Sequence, residues 1–384
     1  MKTAVVICPG RGTYNAAELG WLSRHFPDPA LLAAFDAQRR AAGQETLSAL
    51  DGAARFSLAT HSRGDNAAGL IYAATLGDFL SLDTRAIRVV AVTGNSMGWY
   101  SALACGGAVT PENGFRIANT MGSLMQEAMI GGQIVHPWLD EDWRPDPARK
   151  AALLALAAEI AARPDHRLFL SIDLGGMLVL AGNEAGLKAF EAEVPPAQGR
   201  FPMRLGNHAA FHTPMQEPVA AKGRAALPPA LFGPPKLSLI DGRGAIWWPG
   251  AADPAALRAY TLGHQVVEPY DFTRALAVAA REFAPDLFIV TGPGTTLGGA
   301  VAQSLILADW RGMVDKAAFR AAQAEREVLI AMGMPEQRAA VTGSGRALIE
   351  GNLLQVVRTR RDRGLARRRD GHVGSPCLAP DNFM

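Results

Sequence analysis

The stretch Arg88-Val89-Val90-Ala91-Val92-Thr93-Gly94-Asn95-Ser96-Met97-Gly98, followed by a run of small residues over 99–108, decides the fold. The β-branched and apolar residues predict a buried strand, and the run after the turn predicts a helix. Between them, two glycines let the backbone turn sharply and let strand and helix approach closely. In such a setting a G-x-S-x-G pentapeptide holds a serine with its hydroxyl exposed, near backbone N–H groups. Ser96 is therefore a candidate nucleophile, and the alternative is a glycine-rich turn that serves only packing.

Strands and helices alternate along most of the chain, which predicts an α/β fold with a mainly parallel sheet. Residues 132–206 depart from this pattern, since their predicted elements follow the order βαββαβ, which is typical of a ferredoxin-like unit. We therefore expect a parallel-sheet, α/β-hydrolase-like core made of residues 1–131 and 207–310. The ferredoxin-like (α+β) subdomain, 132–206, is inserted in it, and residues 311–384 form a helical C-terminal extension with a basic tail.

Composition narrows the function classes. The 384 residues are 49% hydrophobic, enough for a large core, and a formal net charge of +2 argues against nucleic acid or a membrane surface as the main partner. No apolar run is long enough to span a membrane, and the N-terminus lacks the apolar segment of a signal peptide, so we expect a soluble, cytoplasmic protein. Three scattered cysteines, Cys8, Cys105 and Cys377, predict neither a disulfide framework nor a metal site.

A serine nucleophile needs a base, because its hydroxyl is hardly ionised at neutral pH. Of the eight histidines, His212 lies where the predicted subdomain returns to the large unit, a junction expected to form one wall of a cleft. His208 is the neighbouring candidate. A histidine that only fills a core or surface position is the more common case, so the residues alone leave this assignment open.

Six segments between residues 3 and 305 share their order and spacing with one known family. They are Cys8-Pro9-Gly10-Arg11-Gly12, the pentapeptide with Trp99-Tyr100-Ser101-Ala102-Leu103, Met125-Gln126-Glu127-Ala128, Phe211-His212 with Pro214-Met215, Gln265-Val266-Val267-Glu268-Pro269, and Gly292-Pro293-Gly294. Each is weak by itself. Together they resemble the malonyl-CoA:acyl-carrier-protein transacylase family, the acyltransferases of fatty acid and polyketide synthesis.

The resemblance implies an acyltransferase that moves a small acyl group, malonyl or an uncharged short one, from coenzyme A to the thiol of an acyl carrier protein. Ser96 would carry the acyl group in a ping-pong mechanism, and His212 would be the base, oriented by a backbone carbonyl at Gln265. The backbone N–H groups of Arg11 and Met97 would form the oxyanion hole. No cofactor is implied, because acyl-CoA is a substrate and the phosphopantetheine belongs to the carrier protein.

Three residues depart from the family pattern. Arg11 replaces a glutamine, Asn95 replaces a histidine, and Met121 replaces the arginine that holds the carboxylate of malonate. A thioether cannot neutralise a buried carboxylate, so Met121 predicts either an uncharged acyl group or malonate held by a relocated arginine, Arg11 or Arg63. Phe211, the usual companion of malonyl units in the family, narrows the pocket. The residues expected to contact the acyl group are Met121, Phe211, Asn95 and Gln126.

Two other functions stay open. A serine hydrolase of thioesters or esters would form the same acyl-enzyme, and the departures also allow a non-catalytic homologue that only docks carrier proteins. Seven arginines between residues 358 and 369 make the C-terminal end basic. A solvated tail is the simpler interpretation, and a patch for an acidic carrier protein is the alternative.

Overall fold

The computed structural model describes residues 1–343, and the basic tail lies outside them. The strands are β1 (Lys2–Cys8), β2 (Ile87–Gly94), β3 (Gly132–Pro137), β4 (Leu168–Leu174), β5 (Met177–Gly182), β6 (Met203–Arg204), β7 (Ser238–Ile240), β8 (Ile246–Trp247), β9 (Tyr270–Asp271), β10 (Leu287–Val290) and β11 (Leu329–Ala331). The predicted mixture of helices and strands is confirmed.

The helices mostly lie between consecutive strands. They are α1 (Trp21–His25), α2 (Pro29–Ala41), α3 (Leu47–Asp51), α4 (Leu58–His61), α5 (Gly64–Leu80), α6 (Gly98–Cys105), α7 (Pro111–Ala128), α8 (Pro147–Ala161), α9 (Glu184–Glu193), α10 (Glu217–Ala226), α11 (Pro254–Ala259), α12 (Gln265–Val267), α13 (Phe272–Phe283), α14 (Leu297–Leu307), α15 (Lys316–Arg326) and α16 (Pro335–Val341). A π-helical turn, Tyr260–His264, joins α11 to α12. Among the helices of residues 1–343, none has the length and apolarity that a membrane crossing needs.

The larger sheet has six strands in the order β11-β10-β1-β2-β7-β8. Neighbours are parallel except for β8, which returns antiparallel to β7. Residues 4–8 of β1 are completely buried, as expected of a parallel strand in the middle of a sheet that is covered on both faces. Because the carboxyl ends of parallel strands meet at one edge, the loops after β1 and β2 come together there.

The smaller sheet has the order β6-β3-β5-β4-β9. Its elements β3, α8, β4, β5, α9 and β6 follow the predicted βαββαβ succession, and the pairs β6–β3, β3–β5 and β5–β4 are antiparallel. The helices enclose a separate apolar cluster that includes Ile134, Leu180 and Phe190. Strand β9 comes from the second half of the chain and pairs in parallel with β4, so backbone hydrogen bonds join the larger unit to the smaller sheet.

The large unit extends beyond residue 310, where the sequence analysis placed its end. Strand β11 pairs with β10 from Leu329 to Ala331, and Arg338 of α16 forms a buried ion pair with Asp78 of α5. A strand of three residues is too short to give a periodic pattern, which is why the sequence did not indicate it.

Candidate active site

Ser96 occupies the tight turn between β2 and α6. Its φ of +56° lies in the left-handed region, which is unfavourable for a residue with a Cβ and persists only where the surroundings enforce it. Here the enforcement is close packing. A Cβ on Gly98 would lie 2.1 Å from the carbonyl oxygen of Cys8, and one on Gly94 would lie 2.3 Å from the carbonyl carbon of Gly98. The two glycines therefore let β1, β2 and α6 meet, and the turn between them presents Ser96.

The structure brings Ser96 and His212 together, although 116 positions separate them in the chain. Ser96 Oγ lies 2.7 Å from His212 Nε2, and His212 Nδ1 lies 2.6 Å from the backbone oxygen of Gln265. A carbonyl oxygen can only accept a hydrogen bond, so Nδ1 carries the proton and donates a hydrogen bond to the backbone oxygen of Gln265. In the neutral ring Nε2 then accepts the hydrogen bond from the Ser96 hydroxyl. This arrangement can remove the serine proton as the oxygen attacks.

His212 is held in a buried, neutral state. Its backbone N–H donates to the carbonyl of Val266 at 3.1 Å, and its ring lies against Tyr270 with the ring centres 5.4 Å apart. Burial lowers the pKa of His212 to about 4, the hydrogen bond to Gln265 offsets only part of that effect, and the nearby charge of His264 adds to it. A histidine with this pKa is unprotonated at neutral pH and can act as a base.

The side-chain amide of Gln265 is held by hydrogen bonds to both its nitrogen and its oxygen. Its Nε2 donates to the backbone oxygen of Ser96 at 3.1 Å, and its Oε1 accepts from the Tyr100 hydroxyl at 3.1 Å. The Tyr270 hydroxyl donates to the backbone oxygen of Gly94 at 2.6 Å and so ties the start of the turn. The sequence analysis assigned no role to these two tyrosines. Only the position of Tyr100 in the first turn after the pentapeptide could have indicated one.

The predicted oxyanion-hole residues lie beside Ser96. Neither Arg11 nor Met97 uses its backbone N–H in a hydrogen bond within residues 1–343. Met97 directly precedes α6, where the backbone N–H groups of a helix start lack intrahelical acceptors. Both residues line the cavity at Ser96.

The cavity at Ser96 is small, about 20 Å³, which is room for about one water molecule. Its walls, besides Ser96 and His212, include Arg11, Ala68, Tyr100, Gly122, Met125 and Phe211. A cavity of this size favours short acyl groups.

No protein-family model matches the chain. The malonyl CoA-acyl carrier protein transacylase of Salmonella typhimurium is 26% identical over 211 residues, which are 54% of this chain and 63% of that protein. In fold, the acyl-carrier-protein S-malonyltransferase of Burkholderia pseudomallei matches with a TM-score of 0.67 at 21% identity, over 88% of this chain and 99% of the other. A malonyl-transacylase solved with a type II PKS acyl-carrier protein matches with a TM-score of 0.65 at 19% identity, over 88% and 98% of the two chains.

The resemblance to the malonyl-CoA:acyl-carrier-protein transacylase family is confirmed. The solved structures share the fold, and the sequence match covers less than two thirds of the length of the Salmonella protein. Ser96, His212 and Gln265, which the family resemblance singles out, form one hydrogen-bonded array, and the Arg11 loop lies next to it.

Of the four residues predicted to contact the acyl group, Phe211 lines the cavity and the other three do not. Met121 is completely buried and packs against α10, where a Cβ on Gly223 would lie 2.6 Å from its Sδ. Met121 thus lies outside the walls of this cavity, and its contact with an acyl group stays a prediction. A flexible apolar side chain here fills the gap that a glycine leaves on the facing helix.

The remaining two residues support neighbouring segments. The Gln126 side chain accepts from the backbone N–H of Gly64 at 2.7 Å and so caps the start of α5. Asn95 is buried against the loop after β1, where a Cβ on Gly10 would lie 2.6 Å from its carbonyl oxygen. Neither residue is among those that line the cavity.

Proposed function

We propose that this chain transfers a short acyl group from coenzyme A to the thiol of an acyl carrier protein through an ester on Ser96. The observation that carries the proposal is the continuous array of Ser96 Oγ, the His212 ring and the Gln265 carbonyl, with contacts of 2.7 and 2.6 Å. The array supplies a nucleophile, a neutral base and a fixed acceptor that sets the tautomer of the base.

In the first half-reaction, Ser96 Oγ attacks the thioester carbonyl while its proton passes to His212 Nε2. The backbone N–H groups of Arg11 and Met97 stabilise the negative oxygen of the tetrahedral intermediate. The carbon–sulfur bond then breaks, and His212 returns the proton to the departing thiolate of coenzyme A. The products are an ester on Ser96 and free coenzyme A.

In the second half-reaction, the carrier-protein thiol gives its proton to His212 and attacks the ester. Collapse of the intermediate returns the proton to Ser96 Oγ and releases the acylated carrier protein. One thioester replaces another of similar energy, so productive transfer depends on keeping water from the ester. The small cavity, with its apolar wall residues Ala68, Met125 and Phe211, supports this exclusion.

Two further features agree with transfer. A backbone carbonyl, and not a carboxylate, orients His212, as the family resemblance implies. One structural neighbour is a malonyl-transacylase solved with a carrier protein, which supports a carrier protein as the acceptor here.

We also propose that the strand order β6-β3-β5-β4 makes the small unit ferredoxin-like, and that the strand–turn–helix at Ser96 makes the large unit α/β-hydrolase-like.

Mass spectrometry of the protein after incubation with single acyl-CoAs tests the proposal. We expect the acyl mass on the peptide that contains Ser96, its loss on addition of a carrier protein with a phosphopantetheine thiol, and no adduct in Ser96→Ala. Ser101→Ala is the matched control, because Ser101 lies on α6, the helix that follows Ser96, is completely buried and makes no side-chain hydrogen bond within the described residues.

Two outcomes contradict the proposal. Discharge that is as fast in water as with the carrier protein identifies a hydrolase. Absence of any adduct on Ser96, with carrier-protein binding retained in Ser96→Ala, identifies a docking homologue.

A further inference from the structure

We propose that Ser171, on the smaller sheet, is a positioning residue that holds the base His212 in the orientation needed to accept the Ser96 proton. This inference rests on the proposed function and adds a residue that the family resemblance does not single out. Ser171 is not among the residues that line the cavity at Ser96. Its hydroxyl donates instead to the backbone oxygen of Phe211, directly before His212, at 2.8 Å. One buried hydrogen bond thus connects the smaller sheet to the segment that carries the base.

A β-bulge in β4 brings Ser171 to this segment. Leu170 and Ile172 pair with adjacent residues of β5, so Ser171 between them is an extra residue without a partner on that strand. Strand residues two positions apart normally face the same side of a sheet. Here Leu170 packs against the apolar cluster of the small unit, whereas Ile172 belongs to the main apolar core. Bulges re-aim side chains beside functional sites, and this one turns β4 toward the segment of His212.

The peptide unit that joins Phe211 to His212 is held at both of its polar groups. Its carbonyl accepts from Ser171, and its N–H donates to the carbonyl of Val266 at 3.1 Å. His212 has a φ of +57°, a left-handed conformation that is unfavourable for a residue with a Cβ. The orientation of this peptide unit sets φ of His212, so the two hydrogen bonds oppose relaxation of the strained conformation.

Gln133 of β3 fixes the direction of the Ser171 hydroxyl. Its Nε2 donates to Ser171 Oγ at 2.7 Å. The amide nitrogen is a donor, so the single proton of the hydroxyl is left for the Phe211 oxygen. Ser171 is completely buried and Gln133 almost so. An unpaired polar group would be costly in such surroundings, so the chain of hydrogen bonds from Gln133 to Phe211 resists displacement of the peptide unit.

The test compares Ser171→Ala with the matched control Ser304→Ala. Both serines are completely buried, and each hydroxyl donates to a backbone oxygen at 2.8 Å, but Ser304 bonds within its own helix, α14. In Ser171→Ala we expect the rate of Ser96 acylation at saturating acyl-CoA to fall between about ten- and a hundredfold, because a small displacement of the base misaligns the proton transfer. The fall should be equal for malonyl-CoA and acetyl-CoA, with the half-saturating concentrations almost unchanged. Ser304→Ala should acylate like the wild type.

Nitrogen-15 NMR of the histidine rings at pH 7, in the protein without acyl donor, gives a readout that a merely structural role would not move. In the wild type, the His212 proton should reside on Nδ1, which donates to the backbone oxygen of Gln265. A displaced ring loses this acceptor, so in Ser171→Ala we expect the two nitrogen signals to move toward the averaged values of exchanging tautomers. The His212 signals are identified by their absence in His212→Gln.

Gln133→Met is a second variant, which decides the role of Ser171 if Ser171→Ala does not fold. Methionine has nearly the length and flexibility of glutamine, so it fills the same space but cannot orient the Ser171 hydroxyl. We expect a smaller loss of acylation rate, between about two- and tenfold, with a partial change of the His212 tautomer.

Two outcomes overturn the role of Ser171. One is that the rates and tautomer signals of Ser171→Ala and Gln133→Met match those of Ser304→Ala. The other is that acylation slows in these variants while the His212 tautomer signals stay as in the wild type. Absence of a Ser96 ester in the wild type with either acyl-CoA contradicts the proposed function instead, and the tautomer signals still decide whether Ser171 positions His212.

Discussion

Lowering the pH from 7 to 5.5 should leave the rate of Ser96 acylation almost unchanged, because burial keeps His212 in its neutral form. The pKa of His212 lies below the ordinary value of 6.5, at about 4. For a base, a lowered pKa means that the unprotonated form persists to more acid pH. The acid limb of the reaction should therefore have its midpoint near pH 4 and not near 6.5.

The expected difference is large enough to measure. A change of pKa from 6.5 to about 4 corresponds to about 3 kcal/mol in favour of neutral His212. At pH 5.5 about 97% of the rings would be neutral, against about 9% for an unperturbed histidine. An ordinary histidine would thus slow acylation about eightfold between pH 7 and 5.5, whereas the buried His212 would slow it by less than a tenth.

The assay is rapid-quench mass spectrometry of the Ser96 adduct, with the acyl donor well below saturation, so that the profile reports groups of the free enzyme. An acyl-pantetheine thioester replaces acyl-CoA as donor, because it lacks the phosphates that titrate in the same range. His208→Asn serves as the control for the half-buried histidine whose ring centre lies 5.8 Å from that of Phe211, and whose pKa burial and Arg11 lower to about 3. A midpoint close to 6.5 in both proteins would refute the reasoning.

Two substitutions test the packing that positions the site. Gly98→Ala should abolish acylation of Ser96, because the added Cβ would lie 2.1 Å from the backbone oxygen of Cys8, and overpacking that costs about 1–3 kcal/mol outweighs a helix-propensity gain of about 1 kcal/mol. The control is Gly298→Ala in the first turn of α14, which should be tolerated because nothing lies within 4 Å of its added Cβ. An active Gly98→Ala enzyme would contradict the packing argument. Arg338→Ala should lower the free energy of unfolding in urea by about 3–5 kcal/mol, since it leaves buried Asp78 without its ion-pair partner. Arg163→Ala, which removes the solvent-accessible ion pair with Glu193, should change the free energy of unfolding little. Equal decreases in the free energy of unfolding in the two variants would argue against burial as the cause.

Short-range patterns explain which features the sequence could predict. The strand, turn and helix around Ser96 depend on residues within about ten positions of it. Each of the six segments that resemble the family is likewise a short stretch of the sequence, and their order can be read directly from the chain. The same holds for the βαββαβ succession, in which helix α9 spans Glu184–Glu193. In each case local propensity and periodicity agree with the final fold.

Features that depend on facing elements could not be read from the chain. The direction of Met121 is decided by Gly223 on another helix, and the contact between Tyr100 and Gln265 depends on segments 165 positions apart. The end of the large unit at residue 310 was misplaced because β11 is recognised only by its pairing with β10.

The residues around Ser96 are enough to predict a serine in a sharp turn between a buried strand and a helix, since two glycines and a run of β-branched residues suffice for that geometry. Which groups surround Ser96 depends on the packing of distant segments. The fold places the His212 ring within hydrogen-bond distance of Ser96 Oγ, and Arg11, not position 121, at the cavity wall. These choices follow from close packing between segments far apart in the chain, where one glycine or one facing helix determines the direction of a side chain.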